Sequence, residues 1–360
     1  MTDRGLLEGK LKLAGPIIDR YIKDPSIEAV CVTGSLIAGL GTSYSDVDLF
    51  AITAPGRQVA EPTVEHGVGL DRVEVEIRTP EWLDQIGTVA QPFRARLDGN
   101  TLRNYSASLV ADAVRIKMGR VVKQSRGLAA VKEKLDSGSS NLRRMMIAYL
   151  TSDVGDDWMD VLGFLSHNDF ESVEMVSREI LEKAVDCSSI QEGDLYRGKK
   201  WIWSRARRSR HLQDALPWLR ELFIDGTQGQ AGDYRSRYAL RMLAAQKIIA
   251  LATLREWCPQ MPDKYDIAPP NFAADGYTRS QSWMLVRLAD SAILLDQDVR
   301  HYTAPDLAVA CWAAADGVSR PSLADSVRTM VPTVGSRDVE AVIDKLLEIG
   351  AITSKPDWRL

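Results

Sequence analysis

The stretch that most constrains this chain runs from Glu28 to Thr53, EAVCVTGSLIAGLGTSYSDVDLFAIT. Two short apolar runs rich in β-branched residues, Ala29 to Val32 and Val47 to Ile52, read as buried strands. The turn between them holds Gly34, Gly39 and Gly41 together with the hydroxyl residues Ser35, Thr42, Ser43 and Ser45. Side chains alternate along a strand, so Asp46 and Asp48 face the same way at the start of the second run. Two carboxylates held side by side repel and raise each other's pKa. In a solvated turn that costs little. In a cleft the usual remedy is a hard divalent cation, and Mg²⁺ favours a few carboxylates together with substrate phosphates. Gly34 lets the backbone approach a ligand closely, and Ser35 sets a hydroxyl and an amide at the mouth of the next turn, where anions bind.

Gly34-Ser35, ten residues, then Asp46-Val47-Asp48-Leu49 resembles the signature of the DNA polymerase β-type nucleotidyltransferases. The resemblance implies that Gly34, Ser35 and Ser45 lie at the phosphates of a nucleoside triphosphate, and that Asp46 and Asp48 hold Mg²⁺. It also implies a third carboxylate on a neighbouring strand, as metal ligand or as base for an acceptor hydroxyl, and two metal ions in all. The segment VGLDRVEVEIRT alternates, with Val73, Val75 and Ile77 on one face and Arg72, Glu74, Glu76 and Arg78 on the other. Glu74 is the preferred third ligand and Glu76 the alternative; they share a face, so the sequence leaves both open.

Around this stretch the expected fold is α+β: a small mixed β-sheet nucleotidyltransferase core with helices, then a helical bundle, then a C-terminal winged-helix-like domain. The expected domains are residues 1–136, 137–289 and 290–360. Leu6 to Ile22 has helical spacing and stops at Asp24-Pro25, while 54–67 is polar and turn-rich and reads as a loop. Pro80 opens a short helix, Leu102 to Met118 forms another, and MGRVVKQSRGLAAVKEKLD reads as a turn and a helix. SGSS at 137–140 suits a domain boundary, and 141–152, 158–167 and 169–186 read as three bundle helices.

The most basic stretch, Arg197 to Arg210, carries seven Lys or Arg residues with Trp201 and Trp203 among them. It reads as an amphipathic helix with a cationic face. A divalent cation neutralises only part of a triphosphate's charge, so a cationic clamp is expected beside it. Gly198, Lys200 and Trp201 resemble a motif in the helical domain of bacterial small-substrate nucleotidyltransferases, which points to Lys200, and less to Lys199, as phosphate ligands. Arg205 and His211 also fit the loose Arg…His pattern of HEPN ribonucleases, which would make RNA or a protein the target, as in a toxin–antitoxin pair.

Residues 226–234 read as a flexible link, Tyr238 to Trp257 as a long helix, and 258–276 as an irregular proline-rich loop. From Ser291 the pattern is strand, turn, strand, then three helices. Ala310 to Gly317 and Leu346 to Gly350 look like PqqD-type peptide-recognition domains, which bind a leader peptide as an added strand. A DNA reader is disfavoured, because Asp338, Glu340, Asp344 and Glu348 outnumber Arg337 and Lys345 in the last helix.

Composition narrows the partners. Net charge is −4, so no global field draws in nucleic acid. No window resembles a membrane span or a signal peptide, and a cytoplasmic protein is expected. The four cysteines are at least 53 residues apart, which indicates neither disulfides nor zinc. The expected function is Mg²⁺-dependent transfer of a nucleoside monophosphate from an NTP to a small-molecule or peptide acceptor. The rival from another class, a non-catalytic nucleotide-binding module for peptide or DNA recognition, would lack one of the carboxylates.

Overall fold

The alternating pattern of Val73 to Arg78 and the apolar runs on either side of Gly34 build one sheet. In the computed structural model, residues 3–57, 63–67, 72–93, 105–224, 234–258, 260–262, 267–269, 276–298 and 300–354 are described. The chain divides into two compact units. One comprises Met1–Pro92, Arg103–Leu142 and Leu195–Trp201; the other comprises Phe93–Leu102, Arg143–Asp194 and Ile202–Leu360. Both units combine β-sheets with helices, which makes the protein α+β.

The first unit opens with helix α1 (Asp3–Lys23) and carries strands β1 (Ile27–Thr33), β2 (Val47–Thr53), β3 (Thr63–His66), β4 (Val73–Arg78) and β5 (Arg120–Lys123). The strand order is β3-β4-β2-β1-β5. β2 runs parallel to β4, and the other pairs are antiparallel, so the sheet is mixed. One face is apolar: Val30, Val32, Leu49, Ala51, Val73 and Val75 pack with Ala14, Ile18 and Tyr21 of α1. Each buried Val, Leu or Ile side chain among them contributes about 1.5–3 kcal/mol, which explains why α1 docks on this face. The opposite face carries Thr33, Asp48, Phe50, Glu74 and Glu76, as the two-residue period requires.

Helices α3 (Pro80–Thr88), α4 (Ala107–Met118) and α5 (Arg126–Ser137) each start on a capping hydroxyl, from Thr79, Ser106 and Ser125 respectively. A one-turn helix, α2 (Gly34–Ile37), follows β1 directly. The Lys132 ammonium closes the C-terminus of α4 by donating to the carbonyls of Ile116, Lys117 and Gly119 at 2.8, 2.8 and 3.0 Å.

In the second unit, α6 (Ser139–Ser166, from Arg143 on), α7 (Phe170–Gln191) and α10 (Tyr234–Trp257) are the long helices; the short ones are α8 (Ile202–Ala206) and α9 (Leu216–Phe223). Arg241 joins α10 to α7 through Glu174 at 2.7 Å. Strands β7 (Trp283–Arg287), β8 (Ala292–Asp296) and β9 (His301–Ala304) form an antiparallel sheet. A second small sheet orders β10 (Asp316–Val318), β6 (Tyr277–Arg279) and β11 (Ile352–Thr353), beside helices α11 (Asp306–Ala314), α12 (Arg320–Met330) and α13 (Ser336–Glu348). Buried Arg279 and Lys247 both pair with Asp316, at 2.9 and 2.6 Å. No helix among the described residues is long and apolar enough to cross a membrane.

Several sequence readings are corrected. The segment 54–67 contains strand β3, and the turn read before α5 contains strand β5. Both are short edge strands whose side chains are mostly not buried, so neither carries a strong apolar pattern. The segment 141–152 and all but the last residue of 158–167 belong to the single helix α6. Gly155 within it lets β7 approach, since a Cβ there would stand 3.1 Å from Val286 Cγ2. The break at SGSS is one residue, Gly138. The helix read over Leu102 to Met118 starts at Ala107. The basic stretch is a 3₁₀ turn (Lys199–Trp201), the five-residue α8 and turns, not one amphipathic helix. Strands β6 and β7 had no counterpart in the sequence reading. Residues 226–233 of the link at 226–234, and most of the loop at 258–276, lie outside the described residues, while Tyr234 already belongs to α10.

Candidate active site

The register of β2 against β4 builds the site. Asp48 pairs directly with Glu74, and Asp46 immediately precedes β2. One oxygen from each of Asp46, Asp48 and Glu74 lies within 4.8 Å of the others. All three carboxylates are partly buried. Burial pushes the Asp48 carboxyl up to about 6; Arg115 opposes this, and the negative charges of Asp46, Glu74 and Glu76 add to it. Arg72, just before β4, donates to Asp46 Oδ2 from Nη2 at 2.6 Å and from Nε at 3.2 Å. The same guanidinium lies 3.7 Å from Glu74.

Glu76, the alternative third ligand, sits opposite Phe50. Its Oε1 accepts from Arg115 Nη1 at 2.5 Å, and its Oε2 is paired with Arg78. The two glutamates left open by the sequence therefore differ in surroundings: Glu74 faces the aspartates, and Glu76 is flanked by two guanidinium groups. Arg115, on α4, also donates to Thr33 Oγ1 at 3.3 Å and lies 4.2 Å from the centroid of the Phe50 ring.

Gly34 has φ +83°, a left-handed conformation that favours glycine. An ideal Cβ there would overlap the Asp48 carboxylate. Ser35 is buried, and its carbonyl accepts from the amides of Leu40 and Gly41 at 2.8 and 2.9 Å, which folds the loop back on itself. Ser45 is engaged in the next turn: its Oγ accepts from the Thr42 amide at 2.9 Å, and its own amide donates to Thr42 O at 3.0 Å. That turn delivers Asp46 to the site.

Lys199 and Lys200 lie in the 3₁₀ turn that belongs to the same compact unit as the sheet. Both are exposed, and the Lys200 ammonium is 5.0 Å from the centroid of the Trp201 ring. On the same segment stands Tyr196, which the sequence reading did not single out. Burial raises the pKa of its phenol, and the charge of Asp48 raises it further. Tyr196 is therefore a neighbour of the carboxylates, although nothing local in LYRGKKW marks it as one.

Arg205 is fully buried and pairs with Asp186 and, at 3.5 Å, with Asp194, while its Nη2 donates to Asp194 O at 2.6 Å. His211 is buried as well, its Nε2 3.4 Å from Glu192. The Glu192 carboxylate also accepts from the amides of Arg210 and His211. These contacts tie α7 to the segment that follows it.

No family model matches the chain, and no curated protein matches it. Among solved structures, it is similar to a nucleotidyltransferase-like protein from Exiguobacterium sibiricum 255-15. The TM-score is 0.38 at 12% identity, over 69% of this chain and 79% of that one.

Proposed function

We propose that the protein is a divalent-cation-dependent nucleotidyltransferase that moves a nucleoside monophosphate from an NTP to a hydroxyl of a small-molecule or peptide acceptor. The observation that carries this reading is the convergence of Asp46, Asp48 and Glu74 within 4.8 Å, beside the Gly34-Ser35 turn. The residues fit a hard cation. Three partly buried carboxylates repel one another, and Asp48 is held well above the ordinary carboxylate range. Oxygen-only donors in small number, with room for phosphate oxygens, suit Mg²⁺. A bound cation would supply electrostatic stabilisation to the phosphates and to the leaving pyrophosphate.

The protein's own groups do the rest. Asp46, Asp48 and Glu74 hold the cation, and the Gly34-Ser35 turn receives the terminal phosphates. Lys200, with Lys199, offsets the remaining negative charge of the triphosphate. The acceptor oxygen bonds to the α-phosphorus as the bond to the bridging oxygen breaks, and pyrophosphate leaves with the electron pair. Glu74 gives one oxygen to the cation cluster, and its other oxygen takes the hydroxyl proton. The net charge of −4 weighs against a nucleic-acid acceptor, and the C-terminal helices and small sheet, read as a winged-helix, PqqD-like element, would present a peptide. The cytoplasm is the compartment that supplies both NTP and Mg²⁺.

The test is incubation with mixed NTPs, Mg²⁺ and candidate acceptors, followed by mass spectrometry. The reading expects an acceptor mass increased by one nucleoside monophosphate, with equimolar pyrophosphate, and loss of both in Asp46→Asn/Asp48→Asn. Equal transfer by that double variant overturns it.

A further inference from the structure

Glu74 and Glu76 lie on one face of β4, about 7 Å apart along the strand. Only Glu74 joins the carboxylate cluster. A glutamate has three rotatable bonds, so the strand alone does not keep Glu76 away from Asp48. Two guanidinium groups do. Arg115 Nη1 donates to Glu76 Oε1 at 2.5 Å, and Arg78 pairs with the other oxygen while lying 5.5 Å from the Trp82 ring centroid.

Arg115 is itself fixed on several sides. It reaches Asp112 at 3.4 Å on its own helix and Thr33 at 3.3 Å on β1, and its guanidinium carbon stands 4.2 Å from the Phe50 ring centroid on β2. Its side chain is only 17% exposed. A planar fork of donors anchored to three strands and a helix is rigid in a way a lysine would not be.

We propose that Arg115 is a positioning residue that sets the ligand number of the cation site, by withholding Glu76 so that three carboxylates converge among the described residues. This rests on reading the carboxylate cluster as a cation site. Three carboxylates plus water and phosphate suit the strict octahedron of Mg²⁺. A fourth would add oxygens that the larger, more flexible sphere of Ca²⁺ uses more readily. Loss of Arg115 should therefore act in two separable ways. Removing its positive charge beside Asp48 tightens every divalent cation alike. Releasing Glu76 tightens Ca²⁺ more than Mg²⁺, and only this second effect requires Glu76.

The experiment is calorimetric titration of the full chain with Mg²⁺ and, separately, Ca²⁺, without nucleotide, for the wild type, Arg115→Met, Glu76→Gln and the double variant. Folding of each is checked by a cooperative melt. The proposal expects Arg115→Met to raise the ratio of Ca²⁺ to Mg²⁺ affinity about tenfold, and the double variant to return it to the wild-type ratio. Glu76→Gln alone should shift either affinity less than threefold, because Glu76 is not a ligand while Arg115 is present. If Arg115→Met does not fold, the Glu76→Gln result decides, and a tenfold loss of Mg²⁺ affinity overturns the proposal. An unchanged ratio in folded Arg115→Met overturns it too, while the cation site stands. A wild type that binds neither cation overturns both.

Discussion

Asp48 fills the space that a side chain on Gly34 would need. An ideal Cβ on Gly34 would lie 2.6 Å from Asp48 Cγ and 2.9 Å from Asp48 Cβ, well inside contact distance. Gly34 also has φ +83°, which costs an L-residue about 1–2 kcal/mol. The obstacle is a short side chain on a central strand, with little freedom to move aside. Gly34→Ala should therefore displace Asp48 rather than merely loosen the turn. We expect a loss of roughly 2 kcal/mol or more in stability, from the two terms together, and transfer reduced at least a hundredfold. A variant with normal melting and normal transfer would show that the turn does not constrain Asp48.

The raised pKa of Asp48 makes a signed prediction. Its carboxyl titrates at about 6 in the folded chain, above its ordinary value of 3.8. The folded state therefore binds the proton more tightly than the unfolded state. Stability from this group is present below about pH 4 and is lost as pH rises through about 6. At pH 7 in chelator, ionised Asp48 costs on the order of 2–3 kcal/mol, an upper figure because the group is partly solvated. Asp48→Asn should thus melt higher than the wild type above pH 6, with the difference shrinking towards pH 4. Melting curves at pH 4, 5, 6 and 7 check this; a difference that grows on acidification would contradict it. The same variant should lose transfer by about two orders of magnitude.

Glu74 and Glu76 are separated by their partners. Glu74→Gln removes a member of the carboxylate cluster, so kcat should fall at least a hundredfold while nucleotide KM changes little. Glu76→Gln leaves Arg115 and Arg78 short of an acceptor charge, and its main effect should be on stability. Steady-state kinetics and melting on both variants test the split. The reverse pattern, with Glu76→Gln abolishing kcat, would move the role to Glu76.

What the sequence showed and what it hid follow from the range of the interactions. Strands β1 and β2 were legible because burial on both faces makes them continuous apolar runs, and β4 because burial on one face imposes a two-residue period; the two aspartates stood out because successive strand side chains alternate, which places them together. β3 and β5 were not legible, because edge strands with few buried side chains have no such period. The surroundings that distinguish Glu76 from Glu74 include Arg115, 39 residues beyond Glu76, and no local pattern carries that information. Tyr196 is hidden for the same reason. The basic run from Arg197 to Arg210 looked uniform, yet it contains exposed Lys200 and fully buried Arg205. Only the acids brought in from Asp186 and Asp194 distinguish them.

Arg205 supplies the remaining prediction. Its guanidinium is 0% exposed and is met by Asp186, the Asp194 carboxylate and the Asp194 carbonyl. A buried charge stays tolerable only while its partners remain, so truncating one side strands the other. Arg205→Ala should cost about 3–5 kcal/mol and leave buried Asp186 and partly buried Asp194 facing a void. Arg205→Met with Asp186→Asn removes charge from both sides, and should recover part of that loss. A double-mutant cycle on melting free energies should give a coupling of about 1–3 kcal/mol between the two positions. If Arg205 instead served a ribonuclease site with His211, Arg205→Lys would abolish RNA cleavage at nearly unchanged stability. We expect the opposite: no Arg205-dependent RNA cleavage, and a clear drop in melting temperature for Arg205→Lys, because an ammonium cannot reach the three acceptors that the planar fork spans.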